Sequence, residues 1–260
     1  MMADFLWANL TSLPYFRGFL RAIEARLLQG IELAHPRLDI GCGDGHFGEI
    51  AFAGPTDVGL DPEPLSLREA RRRSAYRLLL AADGGRAPLA NSSFASAVSN
   101  SVLEHIPNVQ AVLDEVGRLL RPGGRFVFTV PNPGYLAHLS VPAWLTRVGL
   151  AQMGEGYRSW FRTVTRVEHL AWEEEWAGWL GKGGFEVERS LRYFSPRALR
   201  VLEWGHFFGL PSLVTRRLTG RWIVAPTRWS LWVTARAVRP YYDSPAAGDG
   251  TFTLYLARKR

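Results

Sequence analysis

The feature that most constrains this chain is Leu38-Asp39-Ile40-Gly41-Cys42-Gly43-Asp44-Gly45-His46-Phe47, a short apolar strand carrying an acid and running into three alternating glycines ahead of a helix. Glycine turns where other residues are strained, and it lets backbone N–H groups approach a bound molecule with no Cβ in the way. A helix starting beyond such a turn offers donors to an anionic group. The stretch therefore reads as a nucleotide-type site at the end of a strand, inside an alternation of strands and helices.

Two kinds of nucleotide fit the glycines. Gly43-Asp44-Gly45-His46-Phe47-Gly48 satisfies G-x-G-x-x-G, the dinucleotide fingerprint, with Asp61 as a ribose acid further on. Against that reading, Asp44 would set a carboxylate beside a pyrophosphate. Asp61 also follows Gly48 too closely for the spacing of about 20 residues, and Asp39 has no role in the fingerprint. Taken instead as Asp-x-Gly-x-Gly-x-Gly from Asp39 to Gly45, with an acid closing Val58-Gly59-Leu60-Asp61, the pattern resembles motif I and the acidic loop of class I S-adenosylmethionine (SAM) methyltransferases. Three more blocks are similar, in order and spacing, to later motifs of the UbiE/UbiG-like, methyltransferase type 11 branch. They are Ala82-Asp83-Gly84, the run from Ser93 through Leu103-Glu104-His105-Ile106, and Leu119-Leu120-Arg121-Pro122-Gly123-Gly124-Arg125-Phe126-Val127-Phe128. The similarity spans about residues 36 to 131 and resumes at Gly184-Phe185-Glu186-Val187 and at Thr251 to Ala257.

The resemblance implies SAM as cofactor, S-adenosylhomocysteine as product, and a set of binding residues. Asp61 would accept both ribose hydroxyls, since a carboxylate presents two acceptor oxygens to a vicinal diol, and Pro62 would stiffen the turn behind it. Asp83 with the Gly84 N–H would read the adenine. Asp39 would meet the methionine ammonium through backbone or water, Gly41 and Cys42 would approach the methionine part, and Gly43, Gly45 and Asn100 would complete the cradle. His46, inside the turn, is expected to face solvent.

Composition suits one globular α/β domain: 260 residues at 47% hydrophobic content can bury a large core, and no linker divides them. Apolar stretches around 141–150 and 221–238 are broken by Arg, Pro or Thr before the ~18 residues that a membrane span requires. The start, Met1-Met2-Ala3-Asp4, lacks the basic region of a secretory signal. Cys42 is the only cysteine, which excludes an intramolecular disulfide and favours a cytoplasmic setting, and within the turn it reads as a small buried filler. Net charge is +7 with Lys only at 182 and 259, so the basic side is almost wholly arginine. No arginine cluster has the aromatic spacing of a nucleic-acid site, so no nucleic-acid partner is expected, and Arg71 to Arg73 read as a solvated helix face.

The expected fold is a Rossmann-like, seven-stranded, mostly parallel sheet with helices on both faces, an N-terminal helical segment, and helical, aromatic insertions after strands five and six. Strands are expected at 37–41, up to 61, 77–81, 97–100, 125–130, 185–191 and 251–257. Helices are expected at 4–29 with a break at Pro14, and at 45–52, 65–74, 109–120 and 170–180, with Pro122-Gly123-Gly124 stopping the fourth. The whole reads as one domain, residues 1–260. It would comprise a helical cap at 1–34, a SAM-binding core at 35–131, acceptor-side insertions at 132–168 and 195–249, and completing segments at 169–194 and 250–260.

Methyl transfer asks little covalent chemistry of a protein, because the sulfonium is already electrophilic and the acceptor needs only to be held in line. A base is required where the acceptor must lose a proton, and His105 and His169 are the candidates. Tyr15, Arg17, Tyr157 and Arg158 are further candidates for closing over SAM or gripping an anionic acceptor. The chain departs from its branch in two places. Ala95 follows Phe94 where an acid is usual, and Ser101 stands three residues before Glu104-His105 where the ubiquinone O-methyltransferase group has an acid. One carboxylate, an imidazole and a hydroxyl seldom hold Mg²⁺, so metal independence is expected.

The 195–249 insertion carries Trp204, Phe207, Phe208, Trp222, Trp229, Trp232, Tyr241 and Tyr242 among eight arginines, against Glu203, Asp243 and Asp249. Aromatics with arginines suit a boundary that is apolar on one side and anionic on the other. It is expected, with 132–168, to wall an apolar acceptor pocket and to touch a membrane surface; a plain packing cap is the alternative. The expected acceptor is a small or lipid-linked, non-protein molecule, methylated at oxygen or carbon on a quinone-like, glycan-linked or secondary-metabolite scaffold. A SAM-binding scaffold without turnover and an NAD(P)-dependent oxidoreductase are the other readings.

Overall fold

The computed structural model describes residues 4–208 and 210–260. The Met1–Ala3 start and the side chain of Phe208, on which two of the expectations above fall, lie outside the described residues, as do the side chains of Leu210 and Pro211. Along the chain the elements are α1 (Phe5–Leu10), α2 (Tyr15–Leu28), β1 (Arg37–Ile40), α3 (His46–Ala51), β2 (Thr56–Asp61), α4 (Pro64–Ala70), β3 (Tyr76–Ala81), β4 (Phe94–Asn100), α5 (Val109–Leu119) and β5 (Leu120–Pro131). There follow α6 (Gly134–Ala137), α7 (Ser140–Arg147), α8 (Ala151–Thr165), α9 (Glu173–Lys182), β6 (Phe185–Tyr193), α10 (Pro196–Phe208), α11 (Leu210–Thr219), α12 (Trp232–Asp243) and β7 (Phe252–Lys259).

These elements form two compact units, each built from three stretches of chain. The sheet unit holds Ile31–Pro133, Arg166–Leu191 and Phe252–Arg260; the helical unit holds the residues up to Gly30, Gly134–Thr165 and Arg192–Thr251.

In the sheet unit the strand order is β3-β2-β1-β4-β5-β7-β6. β1 lies parallel between β2 and β4, pairing Asp39 with Gly59 and with Val98, and β5 is parallel to β4. β7 runs antiparallel to β5, from Arg125 opposite Arg258 to Pro131 opposite Phe252. The central strands are short and apolar because both faces are covered: all four residues of β1 are buried, and Leu38, Ile40, Ala97, Phe126 and Phe128 share one core with Leu113 and Val116 of α5 and Trp176 and Leu180 of α9. β3 is an edge strand, and its exposed residues reflect that position.

Several boundaries differ from the sequence reading by two or three residues, β4 beginning at Phe94, α9 at Glu173 and β6 ending at Tyr193 among them, and two differ by more. Pro122-Gly123-Gly124 does not close a helix: α5 ends at Leu119 and the chain enters β5 at once, with the pairing to β4 jumping from Phe94↔Leu120 to Ser96↔Arg125. Gly123 at φ +77° absorbs that bulge. Helix α4 stops at Ala70, short of the expected Ser74, because Arg72 and Arg73 donate to carbonyls only three residues back, in tight turns.

In the helical unit α1 and α2 form a hairpin. Glu24 of α2 is fully buried, accepting from Arg21 (2.8 Å) and from the Tyr193 hydroxyl (3.0 Å). Glu203 of α10, also fully buried, takes the Ser140 N–H (2.6 Å), the Ser140 hydroxyl (2.5 Å) and the Val141 N–H (3.1 Å) at the start of α7. Tyr15 donates to the Val201 carbonyl (3.2 Å) and Arg158 pairs with Glu155, so both of these sequence candidates are engaged within the unit.

Candidate functional site

β1, β2, β3 and β4 are parallel, so their carboxyl ends share one edge of the sheet, and the candidate residues gather there. Past Ile40 the chain takes left-handed conformations at Gly41, Gly43 and Gly45, with φ of +76°, +54° and +76°. The turn folds over the end of β2: the N–H groups of Gly41 and Cys42 donate to the Leu60 carbonyl at 2.8 and 3.1 Å, and Gly43 N–H donates to Asp61 Oδ2 at 2.9 Å. Nothing lies within 4 Å of where a Gly43 Cβ would stand, so the turn is open on that side. Asp61 Oδ1 accepts the Glu63 N–H at 2.9 Å across the exposed Pro62. Each carboxylate oxygen keeps a further lone pair for a hydroxyl.

On the neighbouring loop Asp83 is exposed and accepts the Gly85 N–H at 2.7 Å, while Gly84 backs onto Ile40 and Val112. The Ala82 N–H donates to the Asp61 carbonyl (3.3 Å) and joins this loop to the acidic one. Asn100, at the end of β4, is buried and accepts from the Thr129 hydroxyl at 3.0 Å.

Asp39 lies on β1 and is only 3% exposed. Its Oδ2 accepts a 2.6 Å hydrogen bond from the hydroxyl of Tyr76, a residue the motif reading did not select. Burial, reinforced by the Asp39 charge, holds that hydroxyl far above the usual phenol range, so it stays a donor. The Tyr76 ring also explains two glycines. A Cβ at Gly48 would collide with its hydroxyl, and one at Gly59 would stand 2.7 Å from its ring. Gly48, which completes the apparent dinucleotide fingerprint, is thus required by a tyrosine packed against it.

Three further placements bear on the sequence reading. His46 does not face solvent; it opens α3 and is 4% exposed. Arg73 is not merely solvated: its Nε donates to the Asp44 carbonyl (3.1 Å) and its guanidinium pairs with Glu49, tying the glycine turn and α3 to the segment after α4. Cys42 is buried, and burial with the charges of Asp39 and Asp61 raises its thiol well above the ordinary range, which suits a filler rather than a nucleophile.

The two histidines are placed differently. His105 Nδ1 lies 2.8 Å from the Arg166 carbonyl, which can only accept, so Nδ1 carries a proton and donates it there. Nε2 is 3.8 Å from Oε1 of Glu104, a buried carboxylate. His169 donates from Nε2 to the Ile106 carbonyl at 2.9 Å and meets the Trp179 ring edge-on. Among the described residues no group of three or more His, Cys, Asp or Glu side chains is arranged to hold a metal ion.

Residues 38–128 match the Methyltransferase domain family, the stretch that contains this turn and both acidic loops. The chain is 34% identical over 128 residues to the malonyl-[acyl-carrier protein] O-methyltransferase of Serratia marcescens, covering 48% of this chain and 49% of that one. It spans about half the length of the curated relatives it matches. Among solved structures it superposes on a SAM-dependent methyltransferase of Thermotoga maritima described as a possible histamine N-methyltransferase, with a TM-score of 0.60 at 15% identity, covering 94% and 91% of the two chains. It also superposes on geranyl diphosphate C-methyltransferase from Streptomyces coelicolor A3(2), in complex with Mg²⁺, geranyl diphosphate and S-adenosylhomocysteine, with a TM-score of 0.58 at 15% identity, covering 95% and 82%. The fold is the one seen in these SAM-dependent methyltransferases, and residues 38–128 are similar to a methyltransferase domain.

Proposed function

We propose that the protein binds SAM along the carboxyl edge of β1, β2 and β3 and transfers its methyl group to a small, non-protein acceptor. The observation that carries this reading is the convergence of an open, left-handed glycine turn with two acidic loops, Asp61 on one and Asp83 on the other. Asp61 receives the ribose hydroxyls, Asp83 and Gly84 meet the adenine, and Asp39 with Gly41, Cys42, Gly43 and Gly45 holds the methionine end. Pro62 and Asn100 shape the loops that carry these groups. When bound, SAM supplies a sulfonium methyl that an aligned nucleophile takes, the sulfur leaving with the bonding pair. The chain's part is alignment and, for an acceptor that must lose a proton, its removal by His105 Nε2, with the Glu104 carboxylate stabilising the imidazolium so formed.

A thermal-shift panel tests the cofactor half of the reading. SAM and S-adenosylhomocysteine should stabilise the protein by about 2.7 kcal/mol at a hundredfold excess over Kd, and NAD(P)H should not. Stabilisation by NAD(P)H alone would sink the assignment. Metal independence belongs to the same reading, since Ser101 stands where a third ligand would be needed; turnover should survive EDTA, and loss on chelation with rescue by Mg²⁺ would overturn it.

The acceptor is proposed to be apolar or lipid-linked and to be methylated at oxygen or carbon. The helical unit supports this reading. From Trp204 to Tyr242 the chain has no Asp or Glu but carries Arg216, Arg217, Arg221, Arg228, Arg236 and Arg239. The same stretch exposes Trp229 by 87%, Leu218 by 79% and Val233 by 69%. Apolar side chains left in water among arginines suit an anionic lipid surface, and this segment is proposed to rest on one.

A further inference from the structure

Tyr76 begins β3, two strands from β1, yet its side chain crosses β2 to reach Asp39. The corridor exists because β2 carries Gly59 opposite Asp39 and α3 carries Gly48, and any Cβ at either position would meet the Tyr76 side chain. A carboxylate as buried as Asp39 is costly to desolvate without donors around it, and the Tyr76 hydroxyl is one such donor at 2.6 Å.

We propose that Tyr76 is a positioning residue for the methionine end of SAM: through its hydroxyl it fixes the Asp39 carboxylate in the orientation that receives the ammonium group. The inference rests on the assignment of Asp39 made above. It concerns the amino-acid half of the ligand only, because the ribose and adenine are read by Asp61 and Asp83 on other loops.

That restriction supplies the test. S-adenosylhomocysteine carries the amino-acid end, and 5′-methylthioadenosine shares its nucleoside but lacks that end. Calorimetry on wild type, Y76F, D39N and D61A should show Y76F weakening S-adenosylhomocysteine about tenfold while binding methylthioadenosine as the wild type does. The phenylalanine ring still fills the glycine corridor, so methylthioadenosine binding also reports that the variant is folded. D39N should follow the same pattern, and D61A should weaken both ligands. If Y76F weakens both ligands alike, or loses both, Tyr76 only shapes the turn and the proposal is overturned. If D39N discriminates between the ligands and Y76F does not, Asp39 needs no help from Tyr76 and the proposal again fails. If D39N has no effect, the assignment of Asp39 falls first and takes this inference with it, while a D61A effect would leave the rest of the site standing.

Discussion

Asp61 holds two backbone N–H groups, those of Gly43 and Glu63, so its carboxylate is set in place by the ends of both loops it joins. Replacing it removes the ribose acceptor and loosens the turn together. D61A should weaken SAM binding by one to two powers of ten, since a hydrogen bond to a charged group is worth about 1.5–3 kcal/mol. Calorimetry decides the matter, and a folded D61A of unchanged affinity would remove Asp61 from the site. The histidines should separate in the same kind of experiment. H105Q should lower kcat by about a hundredfold or more with KM for SAM unchanged, if the acceptor gives up a proton. H169Q should cost about 1 kcal/mol of stability through its lost bond to the Ile106 carbonyl, with kcat largely kept. The opposite pattern would transfer the base to His169. The glycines and acids were legible in the sequence because each answers a local backbone demand or stands at a fixed offset in a motif. Tyr76 was not, since its bond to Asp39 spans 37 residues and nothing local to position 76 signals it.

Among the elements, the cap on α7 is the one that sequence reasoning had no means to see. Its first N–H groups point at Glu203, which lies on α10 and is 63 residues away from Ser140 along the chain. A carboxylate at a helix N-terminus satisfies donors that the helix cannot pair and meets the positive end of its dipole. E203A should therefore destabilise the protein by about 1–3 kcal/mol, because half-buried N–H groups lose their acceptor. The readout is the thermal unfolding midpoint; a midpoint within a degree or so of wild type would show that the cap is dispensable. The core elements follow the sequence to within two or three residues, as at β4, β6 and α9, with larger shifts at α4 and β5. Those larger shifts are set by turns and a bulge whose hydrogen bonds depend on neighbouring strands, which a hydrophobic period does not encode. The helices α10 to α12 were expected only as a helical, aromatic insertion, for their periods are weakened by apolar residues that face water.

For the molecule as a whole, charge is distributed unevenly along the chain, and the stretch from Trp204 to Tyr242 carries six arginines with no acid among them, against a net charge of +7. Among the described residues no helix is long and apolar enough to cross a membrane. Attachment through this stretch should therefore be peripheral and sensitive to salt. The protein should co-sediment with phosphatidylserine-containing vesicles at low ionic strength and come off as salt shortens the screening length from about 10 Å at 0.1 M toward 3 Å at 1 M. Neutral vesicles should hold it less well. Protein that stays in the supernatant under every condition would remove the membrane from the proposed function.

The place of β7 in the sheet has a consequence for the chain's continuity. β7 is separated from β6 by the whole run of α10 to α12, yet it lies between β5 and β6, bonded along its length to β5 from Phe252 to Arg258. At the base of that run the two ends of the connection are stitched together, Phe194 N–H to the Pro245 carbonyl (3.0 Å), Ala247 N–H to the Arg192 carbonyl (3.1 Å) and Thr251 N–H to the Phe194 carbonyl (3.0 Å). The stretch after α11 offers the exposed Arg221 and Arg228 to trypsin in a region without helix or strand. A cut at either arginine would leave the C-terminal fragment threaded as an interior strand, held on both sides by its partner. Such a nicked protein should elute as one species and come apart only in denaturant, because what holds the two pieces together is the sheet and not the peptide bond.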